Sequence, residues 1–255
     1  TTTSMQTDPD EVVQVREAQK RGDLRGARVS TIKYRFAPDP EVATAQQARA
    51  KVDETVAAGA DYIKLWVDGG FGTRQKLSRE FCAAVIEQAR KHGKLTFGHA
   101  YELVDAKMLV ELGLNVLAHN VRDREVDSEF LSLLKQKDAT LIPTLVRDEG
   151  LFIYGESPPW IDEPFFRKFV APDRLELLKT KIREAQVKHP QRALFKAGFE
   201  MNKTNLKKLS DAGVRVALGT DSGGAIDRFF IQGHSEHREM ELMVQAGMTP
   251  MQVNQ

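Results

Sequence analysis

The chain has 255 residues, 41% apolar and 29% charged, with a formal net charge of +1. This is the balance of a soluble globular protein with a substantial core, and it carries no charge excess to draw nucleic acid or an anionic membrane surface. A lone cysteine, Cys82, excludes an intrachain disulfide, and no apolar run approaches the roughly 18 residues of a membrane span.

The opening TTTSMQ reads as a short strand, and TTTSMQTDPDE does not resemble a signal peptide. The compartment, cytoplasmic or periplasmic and secreted, stays open. ARVSTIKY (Ala27–Tyr34) is the next strand. EVATAQQARAKVDETVAAG sets Val42, Ala45, Ala48, Val52 and Val56 at helical spacing and stops at Gly59, and DYIKLWV follows as a strand. SREFCAAVIEQARKHG offers Ser78 as N-cap, Phe81, Val85 and Ala89 on one face, and Gly93 as the stop before KLTFGH. VDAKMLVELG ends at Gly113 and leads into LNVLAH. ATLIPTLV (Ala139–Val146) is a further strand, and TNLKKLSDAG stops at Gly213 before VRVALGTD.

Helices alternating with short apolar strands predict βαβ units on a parallel sheet. No glycine-rich phosphate fingerprint follows an early strand, so the expected fold is α/β, a (β/α)8 TIM barrel, incomplete at about seven strands. A single domain over 1–255 is expected, with a lid-like insertion at about 147–200. Pro158, Pro159 and Pro164 argue there against regular structure. Trp160, Phe165 and Phe166 are too apolar for an ordinary solvated loop, so the segment covers a substrate or packs on a neighbouring subunit.

Lys64, His99, His119 and Asp221 fall near the carboxyl ends of their strands, each a short distance past a helix-stop glycine. In a barrel, four strands would aim them at one mouth. Taken singly they have ordinary explanations: hydrogen-bonded core histidines, a turn-forming aspartate, a lysine paired with Asp68 or Asp221. An ammonium inside a strand nevertheless costs several kcal/mol unless it is paired, neutralised or chemically changed. Imidazoles and a carboxylate suit zinc or a similar divalent ion. A buried, neutral lysine can take up carbon dioxide, and the carbamate is a carboxylate able to bridge two ions about 3.5–4 Å apart. Such ions would hold a hydroxide, and Asp221 could pass its proton to a leaving nitrogen. Two other readings stay open. GADYIKLW with DGGFGT also looks like the Schiff-base strand of a class I aldolase, where Lys64 attacks a carbonyl without metal. A non-catalytic barrel remnant that only binds a ligand is the other.

In this order, YIKLW, FGHAY, LAHN and ALGTDSG resemble the amidohydrolase superfamily, in particular its prolidase-like and imidazolonepropionase-like branch. REAQKRGDLRGARV and HREMELMVQAGMTPMQV extend the resemblance over nearly the whole chain. It implies a metal-dependent hydrolase of carbon–nitrogen bonds acting on a dipeptide of Xaa-Pro type or an N-acyl amino acid. It implies up to two divalent metal ions, zinc by ligand type, with CO2 held as the carbamate of Lys64 bridging them. His99 and His119 would hold one ion, and Asp221 would hold the other and act as general acid/base. The chain departs from the pattern in having no His-x-His pair and no flanking β-sandwich segment. The expectation is therefore an incomplete chain lacking the first barrel strand, with one ion bound more tightly than the second. Tyr101, Arg147 and His237 are the substrate-binding candidates, Arg147 being suited to a carboxylate. His234 neighbours that set, His92 suits a helix C-terminus, and His189 precedes a proline in an exposed stretch. The expected partner is a small-molecule or dipeptide substrate, with neither nucleic acid nor membrane, in a homo-oligomer.

Overall fold

The glycines that end the amphipathic segments set the rhythm of the fold. Gly59, Gly93, Gly113 and Gly213 have φ of 93°, 63°, 96° and 76°, the left-handed region that a residue without Cβ adopts cheaply. They follow the helices Ala45–Ala57, Arg79–Lys91, Leu103–Glu111 and Arg192–Asp211 in a computed structural model that describes residues 2–222 and 229–254. Two of these helices are capped at the other end by side chains. Thr44 and Gln47 form a capping box, and the Ser78 hydroxyl accepts the Phe81 N–H at 3.1 Å.

Among the described residues the chain forms eight short strands: β1 (Thr2–Thr3), β2 (Val29–Ser30), β3 (Arg35–Phe36), β4 (Ile63–Val67), β5 (Thr96–Ala100), β6 (Val116–Ala118), β7 (Thr140–Ile142) and β8 (Arg215–Val216). The chain divides into two compact units, Thr1–Ala118 with Ser132–Thr140 and His119–Leu131 with Leu141–Gln255.

In the first unit β1 pairs with β2, and β3, β4, β5 and β6 form a parallel run in that order. Register decides which side chains share a face. Leu65 lies opposite Gly98, and a Cβ on Gly98 would stand 2.7 Å from Leu114 and 3.0 Å from Leu109, so this face meets the helix. Ile63, Leu65 and Val67 point the same way and are fully buried. Lys64, Trp66, Phe97 and His99 therefore occupy the other face.

The expected strand Ala27–Tyr34 is reduced to Val29–Ser30, and a separate strand, Arg35–Phe36, begins just past its end. Lys33 turns into the left-handed region at φ 57°, its N–H bonded to Thr31 Oγ1 at 3.0 Å and its ammonium to Asp10 at 2.6 Å. Burying that ammonium against a carboxylate bends the chain, so β2 pairs with β1 while β3 pairs with β4.

In the second unit β7 and β8 are neighbours, with the Ala217 N–H on Leu141 O at 2.8 Å. The strand expected to reach Val146 stops at Ile142. Pro143 has no N–H to give a ladder, Thr144 takes φ 51°, and the helix Leu145–Gly150 begins. Residues 147–200 are also more regular than their prolines suggested. Pro159 and Pro164 occupy opening positions of the 3-10 turn Pro159–Asp162 and the helix Pro164–Phe169, where a missing N–H costs nothing. Tyr154, Ile161, Phe166, Leu178 and Ile182 form a buried core of this segment, with Trp160 packed on it.

Candidate metal centre

Lys64 is 3% exposed between Ile63 and Leu65. The neighbouring strand β5 places Phe97 opposite Lys64 and His99 opposite Trp66; His99 is 6% exposed, and its Nε2 lies 3.0 Å from Asp68 Oδ2. The DGG turn after β4 makes that contact possible. Gly70 takes φ 53°, its N–H bonds back to Asp68 Oδ1 at 2.7 Å, and the carboxylate is turned toward the imidazole. The Trp66 ring stands 5.3 Å from His99, and the guanidinium carbons of Arg35 and Arg74 lie 5.6 and 5.4 Å from the Trp66 centroid. Tyr101 is half-buried with its ring edge-on to Phe71 at 5.0 Å.

The second unit carries the other candidates. His119 follows β6 directly, 4% exposed, with φ 78° and its N–H on Ile142 O at 2.9 Å. Its Nδ1 meets Thr144 Oγ1 at 2.6 Å, which fixes the ring plane and leaves Nε2 facing Asp221 Oδ2 at 3.7 Å. Asp221 itself has φ 53°. His119 thus stands beside two other non-glycine residues in left-handed backbone, each of the three costing about 1–3 kcal/mol, and such strain gathers where geometry serves function. Arg147 Nε lies 3.8 Å from the same Asp221 oxygen, while its Nη1 donates to Asp148 at 2.9 Å.

A buried charge network stands behind this group. Asp148 accepts from Arg122 at 2.8 Å and from Asn202 at 2.9 Å, and Asn202 also donates to Pro143 O at 3.0 Å. Burial raises the Asp148 pKa, but the Arg122 and Arg147 charges outweigh it and hold the carboxyl below its ordinary range. Glu239, fully buried, accepts the Leu145 and Val146 N–H groups at 2.9 and 2.6 Å and so fixes the start of the helix after Thr144. Burial pushes its pKa up to about 8 despite those two bonds. Glu149 receives a bidentate pair from Arg238 at 2.9 and 2.6 Å.

The remaining histidines do other things. His234 is buried against Phe166 and Trp160, at 4.7 and 5.1 Å between rings, and burial with the nearby Arg238 charge lowers its pKa to about 4. His237 is exposed, edge-on to Phe165 at 5.3 Å. His92 caps its helix with Nε2 2.6 Å from Asp53, and the His189 ring nitrogen accepts the Gln191 N–H at 3.2 Å.

Sequence reasoning weighed Asp68 only as a partner for Lys64, and it missed Thr144, Asp148 and Glu239. Asp68 had a readable signal, a carboxylate opening a strand-end DGG turn. Glu239 had none, since HREMELM looks like the charged face of any surface helix.

The donor types suit a divalent ion: imidazole nitrogen and carboxylate oxygen. The 3.7 Å between His119 Nε2 and Asp221 Oδ2 is close to the ~3.3 Å separating two ligands of one tetrahedral ion with bonds of about 2.0–2.1 Å. Among the described residues no three His, Cys, Asp or Glu side chains gather into a metal-holding group.

Neither a protein-family model nor a curated protein matches the sequence. Solved structures match the fold. A Xaa-Pro dipeptidase with methionine bound in its active site has a TM-score of 0.71 at 20% identity, over 98% of this chain and 60% of that one. A candidate prolidase from Bifidobacterium longum gives 0.73 at 21%, over 98% and 58%. A prolidase complexed with N-methylphosphonate-L-proline gives 0.67 at 17%, over 98% and 60%. The chain thus shares the fold of prolidase-type amidohydrolases and spans less than two thirds of their length, in keeping with the resemblance read from its motifs.

Proposed function

We propose that this chain belongs to the amidohydrolase superfamily and works as a metal-dependent hydrolase of carbon–nitrogen bonds. Its framework is a (β/α)8 barrel, with residues 147–200 as a lid. Lys64, as its carbamate, with His99, His119 and Asp221 are the ligands, and the substrate is a dipeptide of Xaa-Pro type or an N-acyl amino acid. The observation that carries this reading is Lys64, 3% exposed in β4 on the same sheet face as His99, in a fold shared with a Xaa-Pro dipeptidase and prolidases.

A divalent ion, zinc by ligand type, would supply Lewis-acid polarisation of the scissile carbonyl. The chain's own groups do the rest. The Lys64 ammonium first gives up one proton, and the neutral amine then adds to carbon dioxide, forming a nitrogen–carbon bond and releasing a second proton, so a buried cation becomes an anion. Thr144 holds the His119 ring through Nδ1. Asp221 takes a proton from the attacking water and gives it to the leaving nitrogen as the carbon–oxygen bond forms and the carbon–nitrogen bond breaks. Tyr101, Arg147 and His237 are the residues assigned to the substrate.

Elemental analysis after incubation with zinc and bicarbonate, followed by dialysis, tests the proposal on the wild type and Lys64→Ala. Zinc kept by the wild type and lost by the variant, with cleavage of an Xaa-Pro dipeptide only by the former, is expected. No zinc in either protein overturns it, and trapping of Lys64 by borohydride with an aldehyde would point to a Schiff-base enzyme instead.

A further inference from the structure

Two guanidinium groups stand over one indole, and that indole lies on the face of the sheet that carries Lys64. Arg35 lies directly opposite Lys64 in the β3–β4 register, and Trp66 is two residues further along the same face. The guanidinium carbons of Arg35 and Arg74 are 5.6 and 5.4 Å from the Trp66 ring centroid, and His99 is the ring's next neighbour at 5.3 Å. Some other cations of this unit meet carboxylates: Arg16 with Asp61 at 2.6 Å, Arg79 with Glu111 at 2.8 Å, Lys76 with Asp105 at 2.7 Å. Arg35 and Arg74 form no ion pair among the described residues; the only side-chain hydrogen bond of the two runs from Arg35 Nη1 to Gln6 Oε1 at 3.0 Å.

Packing against an aromatic ring occupies the π-face of a guanidinium and leaves its N–H donors in the plane at the edge, the geometry that receives a carboxylate through two parallel bonds. Two positive charges that share one ring and meet no carboxylate among the described residues also repel each other, and an anion held by both relieves the repulsion. Arg147 differs: its charge is already shared with Asp148 at 2.9 Å and Asp221 at 3.8 Å.

We infer that Arg35 and Arg74, set by Trp66, form the subsite for the free α-carboxylate of the substrate. This deepens the proposed function and rests on it for the substrate class: the enzyme would take dipeptides or N-acyl amino acids with an ionised C-terminus and discriminate against their amides.

Binding can be read without turnover. The full chain is titrated by calorimetry with N-acetyl-L-proline and with N-acetyl-L-prolinamide. The acid is expected to bind at least about tenfold more tightly than the amide. Arg35→Gln and Arg74→Gln should each weaken the acid about tenfold, leave the amide unchanged and keep the wild-type melting temperature, with part of the loss restored in Arg35→Lys. Equal binding of acid and amide, no binding of the acid, or a preference that survives in the double variant overturns the inference. Acid-selective binding without any hydrolysis would overturn the hydrolase reading and leave the carboxylate subsite standing.

Discussion

Lys64 and His99 sit on regular strands, while His119 and Asp221 sit where the chain has left them, and the two pairs are held by different means. β4 and β5 are aligned over five residue pairs, and the backs of these strands are packed with Ile63, Leu65 and Val67. Position there follows from ladder hydrogen bonds and apolar burial. His119, Thr144 and Asp221 instead take left-handed backbone, and behind them stand Asp148, Arg122, Glu239 and the Arg238–Glu149 pair. A regular ladder needs no further support. A strained turn persists only where its surroundings over-determine it, and here buried charge does so.

This contrast can be broken first at its strongest point. Arg238→Ala leaves the Glu149 carboxylate, 3% exposed, without its bidentate partner, and should cost about 3–5 kcal/mol in urea unfolding. Leu65→Ala opens a cavity behind β4 and should cost about 2–5 kcal/mol, by the same amount at pH 5 and pH 8. Thr144→Val removes the hydroxyl that holds His119 Nδ1 and should cost about 1–3 kcal/mol, while nitrogen NMR of the ring shows its tautomer mixture shift. An unchanged His119 spectrum would mean that the ring is held by something else.

The finest test is pH. The folded-state pKa of Glu239, about 8, lies above its ordinary 4.5, so the native chain keeps a proton that the unfolded chain has lost. Its contribution to stability is full below about pH 4.5 and is lost as pH rises through about 8. Between those values stability should fall by up to about 1.4 kcal/mol per pH unit from this group. Glu239→Gln should flatten that slope, and a slope that persists in the variant would assign the effect to other groups.

The same division explains what the sequence shows. Gly59, Gly93 and Gly113 each end a helix, Ser78 caps one, and the apolar runs after those glycines are strands, because period and capping are local. The expected strand through Ala27–Tyr34 failed at Lys33, whose ion pair to Asp10 spans more than one element and leaves no local trace. Pro159 and Pro164 were read as breakers because proline ends a helix and also opens one, and only the following residues decide. Of the proposed ligands, Lys64, His99, His119 and Asp221 stand out as polar residues in or just after apolar strands. Thr144 does not, since its role depends on a left-handed turn after Pro143 and on a histidine 25 positions earlier.

The left-handed residues also carry a consequence for selection. Glycine would occupy the backbone of His119 or Asp221 without strain, so each of these side chains is retained against about 1–3 kcal/mol of conformational cost. A library of variants screened for thermal persistence alone should drift toward glycine at 221, where the side chain is 25% exposed, but not at 119, where the ring is buried and bonded to Thr144, whereas one screened for activity should keep both. The positions where the two screens disagree would mark the working residues without knowledge of the substrate.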